Sequence, residues 1–204
     1  HTLTRHIISL GHRRIAFIIG TAGQSASGLR LAGFRAAMLD AGLEVRNDLV
    51  IQGEFAYLSG FEAAGQLLDL ESPPTAILAS NDDMAAGVIA MAHRHHIEVP
   101  ADLTVCGFDD TFLATTIWPA ITTIRQPIAE MSSLAIEILE KKIHSRQRSP
   151  GKEIRGKHRE LDFRLMLRQS DSPPLEPGDN GTPNPGTSSM ARRFGSSSSR
   201  KPPA

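Results

Sequence analysis

Three polar side chains stand directly after short apolar runs. Asn81 follows Ala76–Ala79, Asp109 follows Thr104–Phe108, and Gln126 follows Thr122–Arg125. Each run reads as a strand, and the carboxyl ends of strands are where open α/β sheets bind ligands. Two amides and a carboxylate supply both donors and acceptors. That set suits a polyol, because each sugar hydroxyl donates and accepts. Arg30, just past the glycine-rich stretch Gly20–Gly28, adds a fixed fork of donors. Phe55, after Leu49–Gln52, offers a ring to the apolar face of a sugar. Asn and Asp after strands also cap helices, and Asp82 or Asp83 reads as the cap of the helix that begins there.

Other chemistries find less support. Gly20–Gly28 lies between a strand and a helix but lacks the Gly-Lys-Ser/Thr ending of a phosphate loop. No acidic residue follows it at dinucleotide-binding spacing, so it reads as a flexible loop at the ligand end of a sheet. His93 and His96 share a helix face, but two ligands do not complete a metal site, and a solvated helix end is the better reading. His12, beside Arg13 and Arg14, reads as surface. Cys106 is the only cysteine, which excludes an intrachain disulfide and a CxxC site. Mid-strand, it reads as a small inert hydrophobe, and it fits a reducing cytoplasm. With no Gly-x-Ser-x-Gly elbow and no assembled base or metal set, no enzyme activity, cofactor or metal is expected.

The elements that must position these residues follow from periodicity. Ile15–Ile19, Leu49–Ile51, Ala76–Ala79 and Thr104–Phe108 are apolar without strict alternation, as strands covered on both faces are. A fifth strand is expected at Thr122–Arg125 and a late one at Leu161–Leu167. Helical spacing of apolar residues marks Leu3–Leu10, Leu29–Ala41, Ser59–Leu70, Asp82–His96 (with His95 on its stripe) and Ile128–Ile143. Alternating strands and helices imply an α/β fold with a doubly wound parallel sheet.

Charge narrows the partners. The 204 residues carry 22 Lys+Arg and 22 Asp+Glu, a formal net charge of zero, which argues against a basic nucleic-acid surface. No apolar run is long enough to span a bilayer. The chain begins His1-Thr2-Leu3 and reads as a piece of a longer protein. From Asp171 to Ala204, 18 of 34 residues are Pro, Gly or Ser, a composition expected to be disordered.

Six blocks in order resemble the LacI/GalR family of bacterial transcriptional regulators. They are Leu10–Ile18, Arg30–Phe34, Gly53–Phe55 with Ser59–Phe61, Pro74–Ile77 with Ser80–Gly87, Val99–Asp110, and Pro119–Pro127. The resemblance runs over residues 6–168. It implies part of a two-lobed effector domain like that of periplasmic sugar-binding proteins. Residues 1–126 resemble the second lobe, 127–158 a segment returning to the first, and 159–170 the second lobe's final strand; 171–204 is the tail. It also implies effector contacts at Arg30, Phe55, Asn81, Asp109 and Gln126, the residues that strand-end placement picks out. The apolar Thr111–Pro119, with Phe112, Leu113, Ile117 and Trp118, resembles part of the family's dimer contact, although a buried internal contact explains it equally well. DNA would be reached only through a headpiece with no counterpart here. The reading is therefore the effector-sensing and dimerising part of a cytoplasmic regulator. A solute receptor of the periplasmic type is the alternative. Between Asp109 and Asp110, the resemblance favours Asp109 as the ligand group and leaves Asp110 to cap or fix the turn at Thr111–Thr115.

Overall fold

A strand that is apolar on both faces must be covered on both faces, and the sheet is built accordingly. The computed structural model describes residues 1–148 and 159–175. β1 (Ile15–Ile19), β2 (Val50–Gln52), β3 (Ala76–Ala79) and β4 (Thr104–Cys106) form a parallel sheet in the order β2-β1-β3-β4. Along β1, Ile15 and Phe17 pack into one helical layer, Ala16 and Ile18 into the other. One layer holds α1 (Thr2–Ser9) and α2 (Ser25–Asp40), where Phe34 stacks on Phe17 at 5.0 Å. The other holds α3 (Tyr57–Leu68), α4 (Asp82–Arg94) and the short α5 (Phe112–Thr116). β5 (Thr123–Arg125) extends the sheet beside the end of β4: the Gly107 N–H donates to the Thr122 carbonyl at 3.0 Å, and the Asp109 N–H to the Ile124 carbonyl at 2.9 Å. β6 (Arg164–Met166) pairs antiparallel with β5. The expected doubly wound parallel sheet is present, closed by one antiparallel strand.

Several boundaries differ from expectation for local reasons. α2 starts at Ser25 rather than Leu29, because the Ser27 hydroxyl donates to the Thr21 carbonyl at 2.7 Å and draws the Gly/Ser stretch into the first turn. β4 ends at Cys106 rather than Phe108, because the backbone turns left-handed at Asp109 (φ 108°) and Asp110 (φ 57°). α4 ends at Arg94, leaving His95 as an exposed cap residue rather than part of the apolar stripe. α6 (Ile128–Arg148) runs past Ile143 and leaves Ile136, Leu139 and Ile143 exposed. Of the segment 127–158, residues 149–158 lie outside the described residues. Among the described residues no helix is long and apolar enough to cross a membrane.

Two readings are corrected at the amino ends of the strands. His12 is not at the surface. It is 1% exposed, with Nδ1 bonded to Thr75 Oγ1 at 2.8 Å and Nε2 to the Ser172 carbonyl at 2.7 Å. Burial holds its pKa below the ordinary value. Nor does the body stop at residue 170. Ser170 is fully buried: its carbonyl accepts from the Val105 N–H at 2.8 Å, and its hydroxyl donates to the Val105 carbonyl and accepts from the Thr122 N–H at 2.9 Å. Asp171 bonds His6 Nε2 at 2.7 Å, and the Ser172 N–H donates to Thr104 Oγ1 at 3.0 Å. The compact body extends to Pro174; the tail from residue 176 lies outside the described residues.

A chain ending at Gln169 loses the partners of the Val105 N–H and carbonyl and of the Thr122 N–H. Buried polar groups left unpaired cost about 1–3 kcal/mol each, less where water reaches them. The melting midpoint is expected to drop by roughly 6–12 °C, whereas a chain ending at Leu175 should melt with the full chain. Circular dichroism melts of the two truncations check this, and equal midpoints would contradict it.

Candidate functional site

The carboxyl end of β3 and the turn after β4 meet at a single guanidinium, and the end of β5 joins them through Asp109. Arg30 stands in the early turns of α2, and helical side chains lean toward the helix N-terminus, here over the sheet end. Its Nη1 donates to the Ser80 carbonyl and its Nη2 to Asp109 Oδ1 at 3.0 Å. Gln126 Nε2 donates to the same carboxylate oxygen at 2.7 Å. The Arg30 guanidinium carbon lies 3.9 Å from the Phe108 ring centre and 5.6 Å from that of Phe55, so a cation–π contact fixes it further. The Phe55 ring rests on Gly20, where a Cβ would come within 2.0 Å of Cζ.

Asn81 joins the cluster indirectly. Its Nδ2 donates to the Phe55 carbonyl at 2.9 Å, and its Oδ1 accepts from the Met84 N–H at 3.0 Å. The second bond makes Asn81 the N-cap of α4, in place of the expected Asp82 or Asp83. Phe55 itself has φ 59°. A non-glycine residue in this region costs about 1–3 kcal/mol and persists where its surroundings enforce it; the Asn81 bond is one such enforcement. Thus Arg30, Phe55, Asn81, Asp109 and Gln126, separated by up to 96 positions (30 to 126), meet in one bonded cluster.

Asp82 is fully buried: Oδ1 accepts from the Thr123 hydroxyl at 2.6 Å and Oδ2 from the Thr111 N–H at 2.7 Å. Burial pushes its carboxyl above the usual carboxylate range, with the two bonds offsetting part of the rise. Asp110 does not cap the Thr111–Thr115 turn, since Asp82 takes the Thr111 N–H; its carboxylate lies between Arg125 and Arg168. Nothing local marks Phe108 as a stacking partner, because it reads as the end of a strand. Nor does anything local pair Asp110 with Arg168, 58 positions away.

The cluster gathers a cation, a carboxylate, two amides and an aromatic face. Asp109 is 30% exposed and Arg30 18%, so both are reachable yet partly dehydrated, which strengthens hydrogen bonds to a ligand. Burial raises the Asp109 pKa, and Arg30 and Gln126 offset part of that. Among the described residues, Asp109 Oδ2 makes no hydrogen bond. Beside the cluster lies a cavity of about 650 Å³ between the sheet and α6, which Arg30, Ser80 and Gln126 line from one end. Its other walls are largely apolar (Phe17, Leu78, Met131, Leu134), and Phe55, Asn81 and Asp109 stay outside it. The convergent polar groups therefore mark the candidate site better than the larger void does.

A parallel α/β sheet with donors and acceptors gathered at its carboxyl edge has the architecture of the periplasmic-binding type. The family model for the periplasmic binding protein-like domain matches residues 4–170, and the chain belongs to that family. It is 41% identical over 174 residues to the HTH-type transcriptional regulator DegA of Bacillus subtilis (strain 168), covering 83% of this chain and 48% of that relative. To the ribose operon repressor of Escherichia coli (strain K12) it is 41% identical over 136 residues, covering 67% of this chain and 41% of the repressor. A LacI-family regulator from Mycobacterium smegmatis has a TM-score of 0.75 at 28% identity, covering 85% of this chain and 63% of that one. The regulator CelR in complex with cellobiose has a TM-score of 0.73 at 34% identity, covering 82% and 49%. The chain spans about half the length of the curated relatives it matches, or somewhat less.

Proposed function

We propose that this chain is the effector-sensing part of a LacI-type regulator of transcription, with Arg30, Phe55, Asn81, Asp109 and Gln126 forming one wall of the effector cleft. The carrying observation is the single bonded cluster of Arg30 on α2 with Asp109 and Gln126 after two neighbouring strands. A sugar or similar small metabolite would accept from the guanidinium and donate to the carboxylate, while Phe55 covers an apolar face and Asn81 holds Phe55 in place. Residues 1–126 and 159–174 form the second lobe in this reading, and 127–158 passes to the first. A second copy of the chain would dock on Phe112 and Trp118, which are 83% and 72% exposed, whereas Leu113 and Ile117 pack against the core and support that surface from beneath. DNA contact would fall to a headpiece outside these residues, and the protein would act in the cytoplasm. The effector shifts open and closed populations only by as much as it binds one of them better.

The relatives favour a regulator over a transport receptor, since those compared are transcription regulators. The test uses the intact protein that contains this chain. A thermal-shift screen of sugars and nucleobases supplies a ligand, and operator retention is then measured with and without it. The expected result is a stabilising ligand that changes operator affinity. This chain alone, with no net charge, should show no specific retention of duplex DNA. A ligand that stabilises the intact protein while operator retention stays unchanged would sink the regulator reading.

A further inference from the structure

The residue beside Asp109 has a buried carboxylate that the recognition cluster does not use. The Asp110 side chain is 3% exposed and lies between two guanidiniums: Oδ2 accepts from Arg125 Nε and Oδ1 from Arg168 Nη2. Arg168 is fixed in turn, its Nη1 donating to the Ile121 carbonyl at 2.7 Å. Asp109 and Asp110 are consecutive residues of left-handed backbone, φ 108° and 57°, a conformation that side-chain-bearing residues adopt only when the surroundings impose it.

Position matters as much as charge. Asp110 follows Asp109 at the end of one strand, and Arg125 precedes Gln126 at the end of its neighbour. The Asp109 N–H also donates to the Ile124 carbonyl at 2.9 Å. The pair Asp110–Arg125, with its carboxylate buried and its guanidinium half-exposed, and the pair Asp109–Gln126 are therefore successive ties across the same two strand ends. Below them, the Thr111 N–H is held by Asp82 at 2.7 Å.

We infer that Asp110 is a positioning residue of the recognition site: clamped by Arg125 and Arg168, it locks the left-handed turn that aims the Asp109 carboxylate at Arg30 and Gln126. Its importance for binding rests on the reading of that cluster as an effector site. Two guanidiniums on one buried carboxylate leave the turn no alternative arrangement that keeps all three charges paired. Without the clamp, Asp109 would be free to rotate off Arg30, and the site would lose its preorganisation without losing a contact residue.

The test uses the 204-residue chain with no ligand, so its failure and that of the effector reading are distinguishable. Asp110→Asn keeps the shape and tolerates the left-handed backbone, but removes the charge that holds both arginines. Amide hydrogen exchange is measured residue by residue, together with the NMR signal of the Arg30 Nε–H. The expected result is exchange at the Asp109 amide faster by about tenfold or more, with a shifted Arg30 Nε–H signal, while Phe17 and Leu78 in β1 and β3 keep wild-type protection. Unchanged Asp109 protection and an unchanged Arg30 signal would overturn the inference. So would exchange accelerated equally everywhere, since that marks a contribution to global stability alone. If Asp110→Asn does not fold, Arg125→Gln decides by the same criteria, because Arg125 is half-exposed and its loss leaves Arg168 on the carboxylate.

Discussion

Replacing Asp109 with alanine in the intact protein is expected to weaken effector binding at least about tenfold. An ionised carboxylate accepting sugar hydroxyls forms charge-assisted bonds of about 1.5–3 kcal/mol each, and about 1.4 kcal/mol is one decade of affinity. Folding should change little. Burial raises the Asp109 pKa, so its ionised form is less favoured in the fold than in the unfolded chain. A carboxyl with a raised folded pKa stabilises the fold fully only below its unfolded value, near pH 4, and that contribution is lost as pH rises through the folded value. At neutral pH the carboxylate is thus not a group on which the fold leans, and without it Arg30 keeps the Ser80 carbonyl and the Phe108 ring. Calorimetry and a thermal melt separate the two effects. Retained affinity in Asp109→Ala would remove Asp109 from the site, and a large fall in midpoint would make its role structural.

Gly87→Ala is expected to be strongly destabilising. Gly87 on α4 meets Gly60 on α3, and a Cβ at Gly87 would lie 2.2 Å from the Tyr57 carbonyl oxygen and 2.6 Å from the Phe61 nitrogen. Both neighbours are backbone, so relief requires the two helices to separate, opening the layer that buries Ala63, Ala64, Met84 and Val88. Overpacking of this kind costs about 3 kcal/mol or more, out of a total stability of about 5–15 kcal/mol. The midpoint should fall by roughly 6–12 °C. Gly65→Ala is the control: its Cβ would meet only the flexible Met91 Cε at 3.2 Å, and alanine favours the helix by about 0.5–1 kcal/mol. A Gly87→Ala chain that melts like the wild type would show that α3 and α4 have slack the backbone distances do not reveal.

What was legible in the sequence depended on how local the cause was. β1 and β3 are legible to the residue, because Arg14 and Gly20 bound one apolar run sharply and Thr75 and Ser80 the other. Asp109 and Gln126 are marked by strand-end position and Arg30 by its place after the glycine-rich stretch, rules of topology rather than of contact, and the three meet in one cluster. The misses had partners far along the chain. The composition of Asp171–Pro174 resembles a disordered tail, yet these residues follow Ser170, whose bonds to Val105 and Thr122 hold the segment in the body. His12 sits among charged neighbours in sequence but under Thr75 and Ser172 in space. Asn81 displaced Asp82 as the helix cap because the Asp82 carboxylate turns inward to Thr111 and Thr123.

Hydrogen exchange of the intact protein, with and without the ligand found by screening, tests the central claim most directly. Ligand protection is expected at segments 20–30, 53–56, 80–84, 107–111 and 124–127. Protection confined to the apolar cavity walls at 1–4, 131–138 and 159–163, with the Asp109 and Arg30 segments unchanged, would contradict that claim.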